Sequence, residues 1–531
     1  MTELQANGPF FVPPYEPRNG GVDFLGLRQA NLDLMALCLP GINNVTSYLR
    51  PFSVLAWIHW KFHQLLEQGG TEQASSKQLT GFRECVETLF TWGHVLNGVR
   101  GIPGTDAKVP AGENGVVPLD FATWKKRPEN TSLMAAVQYG PATKTLGGLG
   151  FLEQVDIGLY RACTPGIALA EALEQSLEQS VADYGGTNPI SLDLKAASEA
   201  EAKRLFVGWN IEKPTEAERA VFRSVFFDAG RIGRNDAMGR RSATLALAFA
   251  VLEWANGPLE VEQIRRSMVY LRAPGLEPMS LPAELEAARW RWSALQLRQT
   301  QRLAFESLLV WIEAQLDRPG AHEGEDLVQL AGKALDHELT EASSGTLGAL
   351  WQACTGSFSD FEAACASAIA NDDHCQFKLR ERLSQAMADQ DENALLVSAM
   401  RALMLCASIA QTLERHPVAS QAMQTGGQDR ISISRWRQLA ERGTNQPLQQ
   451  FLLTLFEEMV LSQHFAVAAG RFDGGTQRLR ISIEEEGLTL LTNERWWPQL
   501  TPDRLPRALD LSAECSLLKW NPAGTFETPG D

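Results

Sequence analysis

His59 and His63 stand four residues apart in a run that reads as one helix, a spacing that puts two imidazoles on one face as a zinc site requires. Trp60, Lys61 and Phe62 lie between them, so the glutamate that acts as general base in H-E-x-x-H is missing. The same pair also reads as two histidines lining an aromatic seam. Asp372-Asp373-His374-Cys375, with Cys354 and Cys365 upstream, is the densest gathering of metal-ligating side chains. Its cysteine spacings follow no zinc pattern, and the acids after Asn371 read as a turn between helices. Asp336-His337-Glu338 reads as a solvated helix face. These residues therefore predict no bound metal and no cofactor.

Phosphate and acyl chemistry leave no complete pattern either. The chain holds no G-x-x-x-x-G-K-[ST] and no G-x-S-x-G, and Leu146-Gly-Gly-Leu-Gly150 does not match G-x-G-x-x-G. An enzyme reading survives only as a divergent nuclease with scattered carboxylates. The remaining candidates are binding groups. Lys125, Lys126 and Arg127 form a basic triplet that could touch the phosphates of duplex DNA. Arg231, Arg234, Arg240 and Arg241 fall within eleven residues around two glycines, which suits internal ion pairs or an acidic partner. Trp496 and Trp497, in a predicted loop, suit a protein–protein anchor, because indole supplies large contact area at low entropy cost.

The elements that must position these groups are mostly helical in period. Helices are predicted over 23–38, over a second run carrying Trp57 to His63 that is capped by Asn43, Asn44 or Thr46, and over 77–96, 236–254, 281–316 and 448–469. Pro282 opens the longest of these and Pro319 follows it, so about 36 residues span about 54 Å. Gln299 and Arg302 interrupt its apolar stripe. Strand is expected largely within 150–163 and 476–520. Residues 133–173 read as a short helical run, Leu-Gly-Phe-Leu, a strand, a Thr-Pro-Gly turn and a helix, the way a winged-helix module ends. The expected fold is mainly α: a multi-domain helical protein with small winged-helix-like α+β modules. Four segments are expected. They are an arm and helical pair at 1–70, a winged-helix-like module at 71–185, a helical middle with the spine helix at 186–420, and a helix plus hairpin at 421–531. The last could be a second winged-helix-like unit.

Composition narrows the class. Apolar residues make up 44% of 531, enough to bury large cores, and 14 Trp fit aromatic cores or anchors. The net charge of −16 argues against broad electrostatic coating of DNA. Eight cysteines include no C-x-x-C pair, which suits a reducing cytoplasm. The opening residues lack a basic stretch followed by an apolar core, so no secretory signal is expected. The longest apolar run noticed, 242–254, is too short to span a membrane, and no membrane contact is expected.

Asp23-Phe-Leu-Gly-Leu-Arg28, Leu39-Pro-Gly-Ile-Asn-Asn-Val-Thr46, Arg50-Pro-Phe52 and Trp57 resemble the opening of large uncharacterised bacterial proteins that accompany restriction and anti-phage defence genes. Arg240-Arg-Ser-Ala-Thr-Leu245 and Gln299-Thr-Gln-Arg-Leu303 fit the same pattern. The resemblance implies a biological setting and carries over no catalytic residue. Together these readings favour a non-enzymatic scaffold or adaptor subunit of a bacterial defence complex, cytoplasmic and bound to other protein subunits. A DNA-binding recognition subunit or regulator built on the winged-helix modules is the alternative.

Overall fold

The computed structural model describes residues 23–529 apart from 71–73, 107, 111, 113–114, 186–189, 319–322, 339–344, 427–430, 472–477 and 493. The Pro-rich arm at 1–22, Pro319 and the 427–429 part of the expected linker lie outside the described residues. The chain is mainly helical, with 60% helix and 7% strand in a few small sheets. It divides into two compact units. Unit 1 holds residues to Leu32 and Gln296–Thr501, and unit 2 holds Asp33–Leu295 and the residues from Pro502. Each unit is thus assembled from separated stretches of chain and cuts across the four sequence segments.

Unit 2 is built around the Arg50–Gln68 helix, whose N-terminal half is buried on every face and packs against Thr164–Ser180. Pro51 sits in its first turn, where no amide hydrogen is needed, and Gly69 follows its end. The helix starts at Arg50 without a side-chain cap, contrary to the expected capping by Asn43, Asn44 or Thr46. Asn43 accepts instead from the Val45 amide at 3.0 Å, and Thr46 donates to the Asn43 carbonyl, so these side chains close a turn upstream. Capping boxes at Ser75/Gln78, Ser198/Glu201 and Thr215/Glu218 start three further helices.

The 150–163 stretch forms an antiparallel hairpin, Leu152–Asp156 with Leu159–Ala162, that feeds directly into the Thr164–Ser180 helix. The joint is tight: a Cβ on Gly166 would collide with the Phe151 carbonyl, so glycine is required there. Strands also occur outside the two expected regions. Val116–Pro118 pairs with Ala196–Ser198, and Leu259–Glu260 joins Lys519–Asn521 and Thr525–Glu527 in a three-stranded sheet. These pieces are two or three residues long, too short for period-2 alternation to register in sequence.

Unit 1 is dominated by helices. Glu392–Leu413 is buried along most of its length. Leu448–Gly470 runs as α-helix, then a seven-residue π segment at Leu455–Leu461, then α-helix again. Both are long and apolar enough to cross a membrane by length and composition, with mean hydropathy of 1.6 and 1.2. The sequence reading expects a helix over 448–469 but counts neither run as long enough for a span, because Arg401 and the Glu457-Glu458 pair interrupt them. The protein itself buries 83% and 56% of the two apolar windows, which accounts for their composition. Ile481–Glu484 and Gly487–Leu490 form the expected hairpin.

One buried charge of unit 2 is paired especially closely. Arg50 meets Glu218 at 2.8 Å, with 1% and 0% of the side chains exposed, and also bonds the carbonyls of Gly208 and Lys213. Removing one member strands the other in a dry core. Arg50→Ala should therefore cost about 3–5 kcal/mol. Arg161→Ala, which breaks a pair with 58% and 40% of its side chains exposed, should cost less than ~1 kcal/mol. Urea unfolding followed by circular dichroism checks the contrast, and two equally small shifts would refute it.

Candidate functional site

The sequence-predicted residues do not gather in one place. His59 is fully buried, and its Nδ1 hydrogen-bonds the Leu55 carbonyl at 2.7 Å. Burial drops its pKa to about 3, so it is neutral. His63 turns to the Tyr160 carbonyl. In the 372–375 cluster Asp373 pairs with Arg382 and Arg401, and His374 bonds Ser367 at 2.6 Å. Cys365 and Cys375 are buried. Among the described residues no group of three or more His, Cys, Asp or Glu is placed to hold a metal ion.

The basic candidates separate by exposure. Lys125 and Arg127 are exposed, but Lys126 points into unit 2 with 6% of its surface accessible. Its ammonium donates to Thr91 Oγ1 at 3.0 Å and lies 5.0 Å from the Phe121 ring centre. Burial lowers its pKa to about 8, while nearby Glu87 pulls it back. Lys126 is thus withdrawn from any phosphate contact. Arg231 pairs with Asp236 at 3.1 Å, Arg234 is exposed and Arg240 donates to the Asn235 carbonyl. Arg241 is buried and donates to the carbonyls of Phe226, Pro40 and Val225. Gly41, at φ +85°, leaves the room for it: a Cβ there would sit 2.9 Å from Arg241 Nη1.

Trp496 and Trp497 do mark a cavity. Both are half-buried and line a cleft of unit 1. The cleft is built from the C-terminal end of the long Ala283–Leu316 helix, the start of Glu392–Leu413, and residues 480–497. Glu313 is its structural centre. Arg480 grips both Glu313 oxygens at 2.6 and 2.9 Å, and the Trp496 indole N–H donates to the same carboxylate at 3.1 Å. Burial raises the Glu313 pKa, while Arg480 and Trp496 oppose the rise. Arg480 also donates to the Glu494 carbonyl and lies 4.8 Å from the Phe24 ring centre. Phe24 meets Trp496 edge to face at 4.8 Å. The Arg480 amide donates to His464 Nε2, so His464 carries its proton on Nδ1 and donates to the Phe24 carbonyl. Trp496 is therefore fixed by the Glu313 carboxylate and the Phe24 ring, whereas Trp497 contributes an indole that half faces solvent.

A second polar cluster lies within unit 1 on the same long helix. From Gln296 to Ser307 the polar side chains are buried. Gln299 accepts from Asn31 at 2.6 Å and donates to the Thr501 carbonyl, and Arg380 donates to Thr300 and Gln296. Arg302 holds Glu306 at 2.9 Å and bonds Thr501 Oγ1. The sequence signalled Gln299 and Arg302 only as interruptions of an apolar stripe. Glu313, Arg480, Asp391 and Glu494 carried no signal, because they come from separate stretches of chain. Comparison of the chain with protein-family models, curated proteins and solved structures finds no match.

Burial pushes the Glu306 carboxyl from 4.5 up to about 7, against the pull of Arg302. Between those values the folded protein keeps a proton that the unfolded chain releases, so stability falls as pH rises through the window. Glu306→Gln cannot titrate. It should lose less stability than the parent between about pH 5 and pH 8, read as the shift in urea midpoint. An identical pH dependence in both proteins would contradict this.

Proposed function

We propose that the chain is a non-enzymatic scaffold or adaptor subunit of a bacterial defence complex, and that unit 1 holds a partner protein at the Trp496–Trp497 cleft. One observation carries the docking part. Trp496 is locked by Glu313 and Phe24, and beside it Trp497 leaves part of its indole at the cleft. A preformed wall binds with little ordering cost, and a central aromatic is the usual anchor of an interface. The defence setting rests on the resemblance of the motifs at 23–57, 240–245 and 299–303. Trp497→Ala is the clean test, because Trp496→Ala would also unpin Glu313. The variant should melt within a few degrees of the parent and lose the protein that co-purifies from the cells that make it. A folded variant that keeps its partner would overturn the proposal.

The DNA-binding alternative draws on the exposed hairpin and the two exposed cations. Val155 and Ile157 at the turn are 49% and 87% exposed, and Lys125 and Arg127 lie upstream in unit 2. On this alternative residues 133–173 act as a winged-helix-like module and the hairpin as its wing. Each cation that neutralises a phosphate contributes about −0.9 to the slope of log K against log salt. Lys125→Ala with Arg127→Ala should then flatten the slope by about 1.8. An unchanged slope on duplex DNA removes these two residues from the contact.

A further inference from the structure

We infer that the cleft of unit 1 takes a cationic side chain, arginine or lysine, carried on an apolar peptide segment of the partner. The inference rests on the docking proposal above and adds the chemistry of what docks. Five carboxylates line the cleft, those of Glu313, Asp317, Asp391, Glu392 and Glu494, against the guanidinium groups of Arg480 and Arg495. Arg480 is committed to Glu313 and to the Glu494 carbonyl, so it has little left for a guest. Glu313 is neutralised by the same contact. Arg495 stands 3.9 Å from Asp317, a loose and exposed pair. Glu392 is held by Arg318 at 2.6 Å and by the Gln315 amide, so the excess negative charge beside Trp496 and Trp497 is that of Asp391, which also caps its helix through the Ala394 amide, and of exposed Glu494. An indole face attracts a cation through its quadrupole, and a carboxylate nearby adds to that attraction.

The rest of the lining suits the stem of such a side chain. Val310, Ala314, Ala386, Leu395 and Leu490 contribute apolar surface to the same cleft, and lysine or arginine lays its methylenes along apolar walls with its charge at the polar end. An acidic guest would meet Asp391 and Glu494 with both cleft arginines already engaged, and a purely apolar guest would strip water from those two carboxylates without replacing it. The surface field acts in the same direction. The chain carries −16, and among the described residues eight basic side chains are buried against six acidic ones. Burial thus does not remove the acidic excess, and a basic partner is steered toward this protein.

The test uses the full chain and three capped hexapeptides that alternate leucine with arginine, glutamine or glutamate, titrated by calorimetry. The arginine peptide should bind at least tenfold tighter than the glutamine peptide, the glutamate peptide should not bind, and added salt should weaken the interaction. Trp497→Ala and Glu494→Gln with Asp391→Asn should each weaken arginine-peptide binding at least tenfold. Asparagine at 391 can still cap the following helix. The control, Glu485→Gln with Glu486→Gln, removes two exposed charges from the hairpin turn and should leave binding unchanged. Equal losses in the cleft and control variants would show diffuse attraction and overturn the inference. So would equal binding of the arginine and glutamine peptides. If the glutamine or glutamate peptide binds best and Trp497→Ala abolishes it, the cleft is a docking site but not a cation site. If Trp497→Ala leaves the natural partner attached, the docking proposal itself has failed, whatever the peptides do.

Discussion

The interaction on which this structure most depends is the bond from a buried guanidinium to backbone carbonyls. Arg50, Arg241, Arg298, Arg380 and Arg480 are all buried, and each donates to at least one carbonyl. A guanidinium presents five donors in a fixed plane, so one side chain can answer several carbonyls at once. The carbonyls it answers belong largely to turns and helix ends, which lack partners of their own. The case of Arg241 shows the logic. The helix Arg28–Cys38 ends just before Leu39 and Pro40. Thr244 then takes the carbonyl of Cys38, Arg504 that of Leu39 and Arg241 that of Pro40. Side chains from two other elements thus cap one helix end, and unit 2 closes around them. A cation is also favoured there by the helix dipole.

That constraint explains why arginine-rich stretches in this chain are poor guides to partners. Arg240 and Arg241 are neighbours in sequence, yet Arg241 serves the core while Arg240 is half-exposed. Lys126 lies between two exposed cations and is buried against Thr91 and Phe121. On a chain of net charge −16, many cations are committed to carbonyls and carboxylates inside the protein. A buried cation has to be paired or hydrogen-bonded, and the fold supplies those partners.

The helices were legible because burial imposes a 3.6-residue period on long elements. The long helix, expected at 281–316, runs from Ala283 to Leu316, and the helix expected at 236–254 runs from Ala237 to Ala255 with Asp236 as its cap. The hairpin at 481–490 was legible from turn chemistry and short alternation, whereas at 150–163, where one strand was expected, the chain doubles back as a hairpin of 152–156 with 159–162. Three kinds of feature were not legible. The short strands 116–118 and 196–198 pair across about eighty residues, and nothing local signals such a pairing. The motif residues that carried the family resemblance turned out to be buried junctions: Arg50 in an ion pair, Arg241 and Thr244 at a helix end, Gln299 and Arg302 inside unit 1. Of the cleft, only the tryptophan pair stood out. Its carboxylates and Arg480 look like any surface charges until separate stretches converge.

The polar cluster and the cleft are two ends of one device. Glu313 and Glu306 are seven residues apart on the long helix, and Arg302 lies one turn before Glu306, so all three share a face. The segment from Trp496 to Thr501 runs along that helix and is tied at both ends. Trp496 bonds Glu313, while Thr501 bonds Arg302 and Gln299. No regular hydrogen-bonded structure interrupts this segment. With both ends pinned, the tie at Trp496 also sets where the adjacent Trp497 stands. The same bonds that satisfy buried Arg302 and Glu313 thus hold the Trp496 indole at the cleft, with half-buried Trp497 next to it.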